Sequence, residues 1–266
     1  MNFIEALQKY TPKGNNFNSL TSTFKEFDDK FGGFPQQGLI SVTGDYNSKL
    51  ENFTLSVFAN YITKWQISNI LYLNFRGYIH EQSAIKNLLS IIFDIPYNHL
   101  CNCEKWVKDD YEEYDTIVAT KISKHKEYLK NIFLESWSYT DIHTFQKSIY
   151  KYVRENGIKI VIIDDFNHLV GNSKESSEKF LLSFLQDISS CYNITFILNT
   201  FIDIDSALNS ILYHSNLVIN ITPSKIVNHE RNNLIDIHVL KNDFGHENDS
   251  VSLHYNRSTR GVYSLI

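Results

Sequence analysis

The chain has only three cysteines in 266 residues: Cys101, Cys103 and Cys191. So sparse and odd a set excludes a disulfide framework and points to a reduced, intracellular protein. Cys101-Asn102-Cys103 also lacks the C-x₂-C spacing and the second half of a zinc site, so the thiols are not read as metal ligands. No stretch approaches 18 apolar residues, and the N-terminus MNFIEALQKYTPKGNN has no apolar core of a signal sequence. These absences give the expectation of a soluble, cytoplasmic protein with no membrane contact. Basic residues are short as well: 25 Lys and Arg against 30 Asp and Glu leave a net charge of −5. That excludes a broadly basic, non-specific nucleic-acid coat. Internal repeats, low-complexity tracts and domain linkers are absent.

What is present is core-forming material. Hydrophobic residues make up 42% of the chain, with 16 Tyr and 18 Phe, enough for one full-sized domain. Helical spacing of apolar residues predicts helices over 2–10 (Phe3, Ile4, Leu7, Tyr10), about 51–65 (Phe53, Val57, Phe58, Ile62, Trp65), 81–93, 141–156, 180–189 and 206–214. Residues 104–130 mix charge with aromatics and read as helical with a solvated face. Thr140 or Asp141 could cap the 141–156 helix and Gly157 ends it. Short β-branched runs predict strands at 39–42, 69–75, 158–163, 194–198 and 216–221, followed by 234–240, 251–255 and 261–265. Residues 23–38 read as a loop rich in turn formers. Strands alternating with helices, then a β-rich end, indicate an α/β fold with a mostly parallel sheet flanked by helices. The division is a short N-terminal arm, 1–19, and one domain, 20–266.

One stretch has the frame of a phosphate-binding loop without its residues. After the strand Leu39–Val42 comes Gly44, and a helix follows. A working loop of this kind reads G-x-x-x-x-G-K-[ST], with backbone N–H groups and a lysine around the phosphates. Counting from Gly44, the second glycine position holds Lys49, the lysine position Leu50 and the hydroxyl position Glu51. A carboxylate there opposes phosphate by about 1 kcal/mol at roughly 4 Å even in a water-like dielectric.

Further fragments resemble the RecA-like motor domain of DnaB-type replicative helicases, across about residues 20–266. Thr23–Asp28, Phe31-Gly32-Gly33-Phe34 and Gly38-Leu39-Ile40 are similar to that family's opening segment. Leu71–Arg76 is similar to its second-strand motif, Gly157–Asp164 to its Walker B strand, and Val239–Gly245 to its K-x-R-x-G segment. The resemblance implies a RecA-like fold of the P-loop NTPase type. It assigns Gly44, Lys49, Asp164 and Lys241 to nucleotide binding and Asp164 to Mg²⁺, with Asp165 beside it. Against that pattern, Arg76 stands where the catalytic carboxylate belongs, and a guanidinium stays protonated and cannot act as a base. Asp243 stands where a neighbouring subunit's arginine finger belongs. Asn199 or Thr200 could supply the polar sensor after the next strand.

The expectation is therefore a catalytically degenerate, non-hydrolysing assembly or regulatory subunit with no required cofactor and no catalytic residues. Two alternatives remain open: a divergent active ATP-dependent helicase or recombinase, and a nucleotide sensor that binds ATP without turnover. A protein partner, either a second copy or a related RecA-like ATPase, is expected at the RecA-type subunit face and at residues 1–19. Loops 171–178 and 203–215 are poor in lysine and arginine, so DNA contact through them is weak. The locally basic stretches 121–130 and 256–260 read first as solvated faces.

Overall fold

A computed structural model describes residues 19–265, apart from 46, 66, 68, 76–77, 102–115, 117–119, 121–122, 124–129, 138–140, 172–174, 202–207 and 225–232. The predicted helix over 2–10 and nearly all of the 104–130 region lie outside the described residues.

Nine strands form the main sheet. In chain order they are β3 (Gly38–Gly44), β4 (Ile70–Asn74), β5 (Ile132–Ser136), β6 (Ile160–Asp164), β7 (Thr195–Phe201), β8 (Leu217–Pro223), β9 (Leu234–Asn242), β10 (Asp249–Tyr255) and β11 (Val262–Tyr263). A separate two-stranded pair, β1 (Ser19–Leu20) and β2 (Phe34–Pro35), precedes them. The sheet order is β11-β10-β9-β8-β3-β7-β6-β4-β5. From β8 to β5 every pairing is parallel, and β9, β10 and β11 add antiparallel. The mostly parallel sheet and the β-rich end are both as the sequence indicates.

Parallel strands need both faces covered, and two apolar layers do this. On one face α2 (Leu50–Thr63) lays Phe53, Val57, Phe58 and Ile62 against Ile40, Val42, Ile162, Ile197 and Ile219. On the other, α5 (Ile142–Asn156) and α7 (Glu175–Tyr192) set Phe145, Ile149, Leu181 and Leu185 against Leu39, Val161, Phe196 and Leu198. Successive residues of β3 thus point into opposite cores, the period of two that a strand imposes. The ends of α5 follow its sequence: Asp141 accepts the Thr144 N–H at 2.9 Å, and Gly157 closes it at φ 61°.

Several elements were not legible. α1 (Lys25–Phe31) lies within the stretch read as loop and buries Phe27 and Phe31; Gly32, at φ 83°, ends it. β1 and β2 are two residues each, and α4 (Tyr97–Cys101) and α6 (Phe166–Val170) are five each, too short for a period to register. β5 is an edge strand whose burial does not alternate. α3 (Tyr78–Phe93) and α7 run longer than predicted, α8 (Leu208–His214) ends where predicted, and β9 continues through Lys241 to Asn242.

Candidate functional site

Because β8, β3, β7, β6 and β4 are parallel, their C-terminal ends share one edge of the sheet. The chain leaves β3 for β4 on one side of it, and later returns to β8 on the other. Such a reversal beside one strand is where open α/β sheets place their ligands. Gly44, Asn74, Asp164, Asn199 and Thr200 stand at or near this edge.

The loop from β3 to α2 is closed by its own oxygens. Asp45 Oδ1 accepts the Asn47 N–H at 2.7 Å, an Asx-turn. The Asp45 carbonyl accepts both the Ser48 N–H, at 3.1 Å, and the Ser48 hydroxyl, at 2.6 Å. Ser48 is thereby folded inward against Gly44, where an added Cβ would lie 2.4 Å from the Ser48 hydroxyl oxygen. Gly44 is thus needed for close packing of this turn. Lys49 takes the left-handed conformation that the second glycine of a phosphate loop would favour, with φ 66°. The absent glycine therefore did not change the backbone at that point, contrary to expectation. The Lys49 ammonium is turned toward the sheet's antiparallel wing, 5.6 Å from the centre of the Tyr255 ring. Leu50, at the lysine position, is 1% exposed and part of the α2-side core. Glu51, in the first turn of α2, is half-buried.

Asp164 is buried at the end of β6. Its Oδ1 accepts from Asn199 Nδ2 at 3.1 Å, and Asn199 Oδ1 accepts from the Thr54 hydroxyl at 2.6 Å. This polar chain ties α2 to β7 and β6 inside the core, and all three side chains are buried. Of the two sensor candidates, Asn199 is the one that touches Asp164. Thr200 points to the other face, and its buried hydroxyl has no hydrogen-bond partner. Asp165 caps the short α6, accepting the His168 N–H at 3.1 Å. Among the described residues no group of three or more His, Cys, Asp or Glu side chains could hold a metal ion.

Lys241 is not part of this set within one chain. Leu217 pairs with Asn242, while Gly44 pairs with Ile221, so Lys241 lies at the opposite edge of the sheet. The two edges are separated by roughly 13 Å along β8 at ~3.3 Å per residue. There the Lys241 ammonium donates to the Leu212 carbonyl at 2.9 Å and pairs with Asp243 at 3.3 Å. Asp243 in turn accepts from Asn216 Nδ2 at 3.1 Å. A cleft of about 860 Å³ opens at this edge, lined by Gln36, Gln37, Gln186, Asn193, Asn216 and Phe244 among others.

Comparison with protein-family profiles and with curated protein sequences finds no match. Solved structures do match. The isolated ATPase domain of a DnaB-like helicase aligns over 99% of this chain and 97% of its own, with a TM-score of 0.77 at 12% identity. A DnaB-like replicative helicase, solved in a study of its interactions with primase, aligns over 99% of this chain and 66% of its own, with a TM-score of 0.77 at 13% identity. The fold is that of a DnaB-type ATPase domain. The KaiC-like protein PH0186 from Pyrococcus horikoshii OT3 shares it more distantly, with a TM-score of 0.64 at 17% identity over 92% of this chain and 98% of its own. Arg76, at the position of the DnaB-type carboxylate, lies outside the described residues, as do most of loops 171–178 and 203–215.

Sequence reasoning had named Gly44, Lys49, Asp164 and Asn199 at the strand ends. It missed Asp45 and Thr54. A Gly-Asp pair at a strand end is a turn signal, and Thr54 is a polar residue among the apolar positions of α2. Both were visible as types, but neither partner was.

Proposed function

We propose that the chain is a RecA-like subunit without nucleotide turnover, acting as a non-hydrolysing assembly or regulatory component in a nucleic-acid transaction. The observation that carries this reading is Leu50, a core leucine at the place where a phosphate cradle needs its cation.

The residues around it do not fit a triphosphate with its magnesium ion. The Asn47 and Ser48 N–H groups are taken by Asp45, and Asp164 is engaged by Asn199. A carboxylate, Glu51, follows Leu50. At the far edge Asp243 offers a negative charge in place of an arginine finger, a group worth about 10³–10⁵ in rate by itself. Losing the cradle lysine and the finger together leaves no route to helicase-level turnover. The RecA-type subunit face and residues 1–19 are the proposed contacts with a second copy or a related ATPase. The DnaB-like helicase of the same fold interacts with primase, which supports a protein partner as the class.

The test is a titration with a fluorescent ATP analogue and Mg²⁺, alongside phosphate release with and without single-stranded DNA. Neither binding nor release is expected. Release abolished by Asp164→Ala would overturn the proposal in favour of an active enzyme. Saturable binding without release would replace it with a nucleotide sensor.

A further inference from the structure

Lys49 reaches toward a turn that the sequence places far from it. Tyr255, under the Lys49 ammonium, is the last residue of β10, and the turn 256–261 follows. That turn is fastened at several points. Asn256 N–H donates to the Gly261 carbonyl at 2.8 Å, and Asn256 Oδ1 accepts the Ser258 N–H at 2.8 Å. The Ser258 carbonyl accepts the Tyr97 N–H at 2.8 Å, joining the turn to α4. The turn presents two arginines. Arg257 is exposed, and Arg260, at φ 57°, lays its guanidinium 3.6 Å from the centre of the Tyr97 ring. Both arginine charges are felt by the Tyr255 phenol, where they oppose the upward push of burial.

We propose that Lys49, Arg257 and Arg260 form a contact surface for the phosphodiester backbone of a nucleic-acid strand. The cations rest on two different rings, Tyr255 and Tyr97, so they are spread along a surface and do not converge on one point. Convergence suits a single phosphate, whereas a spread row suits a chain of them. Tyr255 and Tyr97 are themselves buried, which leaves no face for base stacking and makes the contact one of charge alone. It is therefore indifferent to sequence and strongly dependent on salt. The nearby acids do not cancel it: the Asp45 carboxylate is bonded to its own loop, and Asp94 acts on Tyr263. The surface lies outside loops 171–178 and 203–215. It is independent of whether the β3–α2 loop turns over nucleotide.

The experiment is fluorescence anisotropy with a labelled oligothymidylate, repeated with a duplex of the same length, across a series of salt concentrations. Three neutralised phosphates give a slope of log K against log salt near −2 on the single strand, at about 0.7 per contact. Arg257→Ala and Lys49→Ala are each expected to flatten the slope by about 0.7, with unchanged melting curves showing that the fold is kept. The ratio of the two affinities identifies the strand form that supplies the phosphates. The proposal is overturned if the wild-type chain gives no binding at low salt. It is also overturned if the Arg257→Ala/Lys49→Ala double variant keeps the full slope, or if polyglutamate displaces the oligonucleotide as well as unlabelled oligothymidylate does.

Discussion

Replacing Leu50 with lysine restores the residue type a phosphate loop requires, and the structure predicts that the change will damage the protein. Leu50 opens α2 at 1% exposure, within the core layer that includes Phe53 and Val57. Fully burying such a side chain is worth about 1.5–3 kcal/mol. A lysine at this point has two courses. It can stay inside, where desolvation drives the ammonium to lose its proton, or swing out and leave a cavity. Cavity formation adds about 24 cal/mol per Å³ to the lost transfer energy. Either course brings the expected loss to about 3–5 kcal/mol, in the range of large core truncations.

Urea unfolding, followed by circular dichroism with and without millimolar Mg-ATP, measures this. Leu50→Met serves as control, expected to lose less than about 1.5 kcal/mol because volume is conserved. A cradle that regained its ligand at a hundred times its Kd would recover about 2.7 kcal/mol. No recovery is expected. A loss under about 1 kcal/mol for Leu50→Lys, or recovery of more than about 2 kcal/mol with Mg-ATP, would refute the argument that Leu50 belongs to the core rather than to a nucleotide site.

Asn199→Leu removes the donor to Asp164 and the acceptor of Thr54, so it is expected to lower unfolding stability by about 1–3 kcal/mol; a urea midpoint unchanged from the parent would contradict the buried polar chain. Lys49→Gly relieves a left-handed side-chain position worth about 1 kcal/mol and forfeits a cation–π contact worth about 0.5–1 kcal/mol. Its stability should stay within about 1 kcal/mol of the parent, while Lys49→Val, with a branched Cβ at the same φ, should fall below both. Burial, with the Lys179 and Lys241 charges, holds His214 below its usual 6.5. A histidine depressed in the folded state gives stability that is present above pH 6.5 and lost as pH falls through its folded pKa. Urea midpoints taken from pH 7.5 down to 5 should therefore drop less steeply in His214→Gln than in the parent.

The layers of this fold were legible because they rest on periodicity. The β-branched run 160–163 could only be a covered strand, and Phe145, Ile149 and Val153 could only be one face of a helix. Elements of two to five residues leave no period to read, so β1, β2, α4 and α6 escaped. β5 escaped because its edge position imposes no alternation. At the site, residue types were legible and pairings were not. That Leu50 replaces a lysine is a fact of the sequence, but that Asp45 ties the loop amides depends on a turn closing within three residues. That Lys49 meets Tyr255 depends on α2 abutting the far wing of the sheet. Spacing along the chain holds no information about such distant approaches.

An anion cradle at a strand end is locally frustrated when empty. It holds a cation among apolar side chains, N–H groups without acceptors, and an acid awaiting a metal, and its ligand resolves all three. In this chain each of those demands has an internal answer. Leu50 fills the cation's place, Asp45 supplies the acceptors and Asn199 donates to Asp164. At the opposite edge Lys241 and Asp243 answer each other. A site settled in this way gains little from a ligand, because binding first has to break contacts already made. Its stability should then be nearly independent of nucleotide, whereas an open cradle is stabilised in proportion to RT ln(1 + [L]/Kd). On the proposed reading, the same substitutions that remove the chemistry also make the subunit rigid without it, as a component that works by assembly requires.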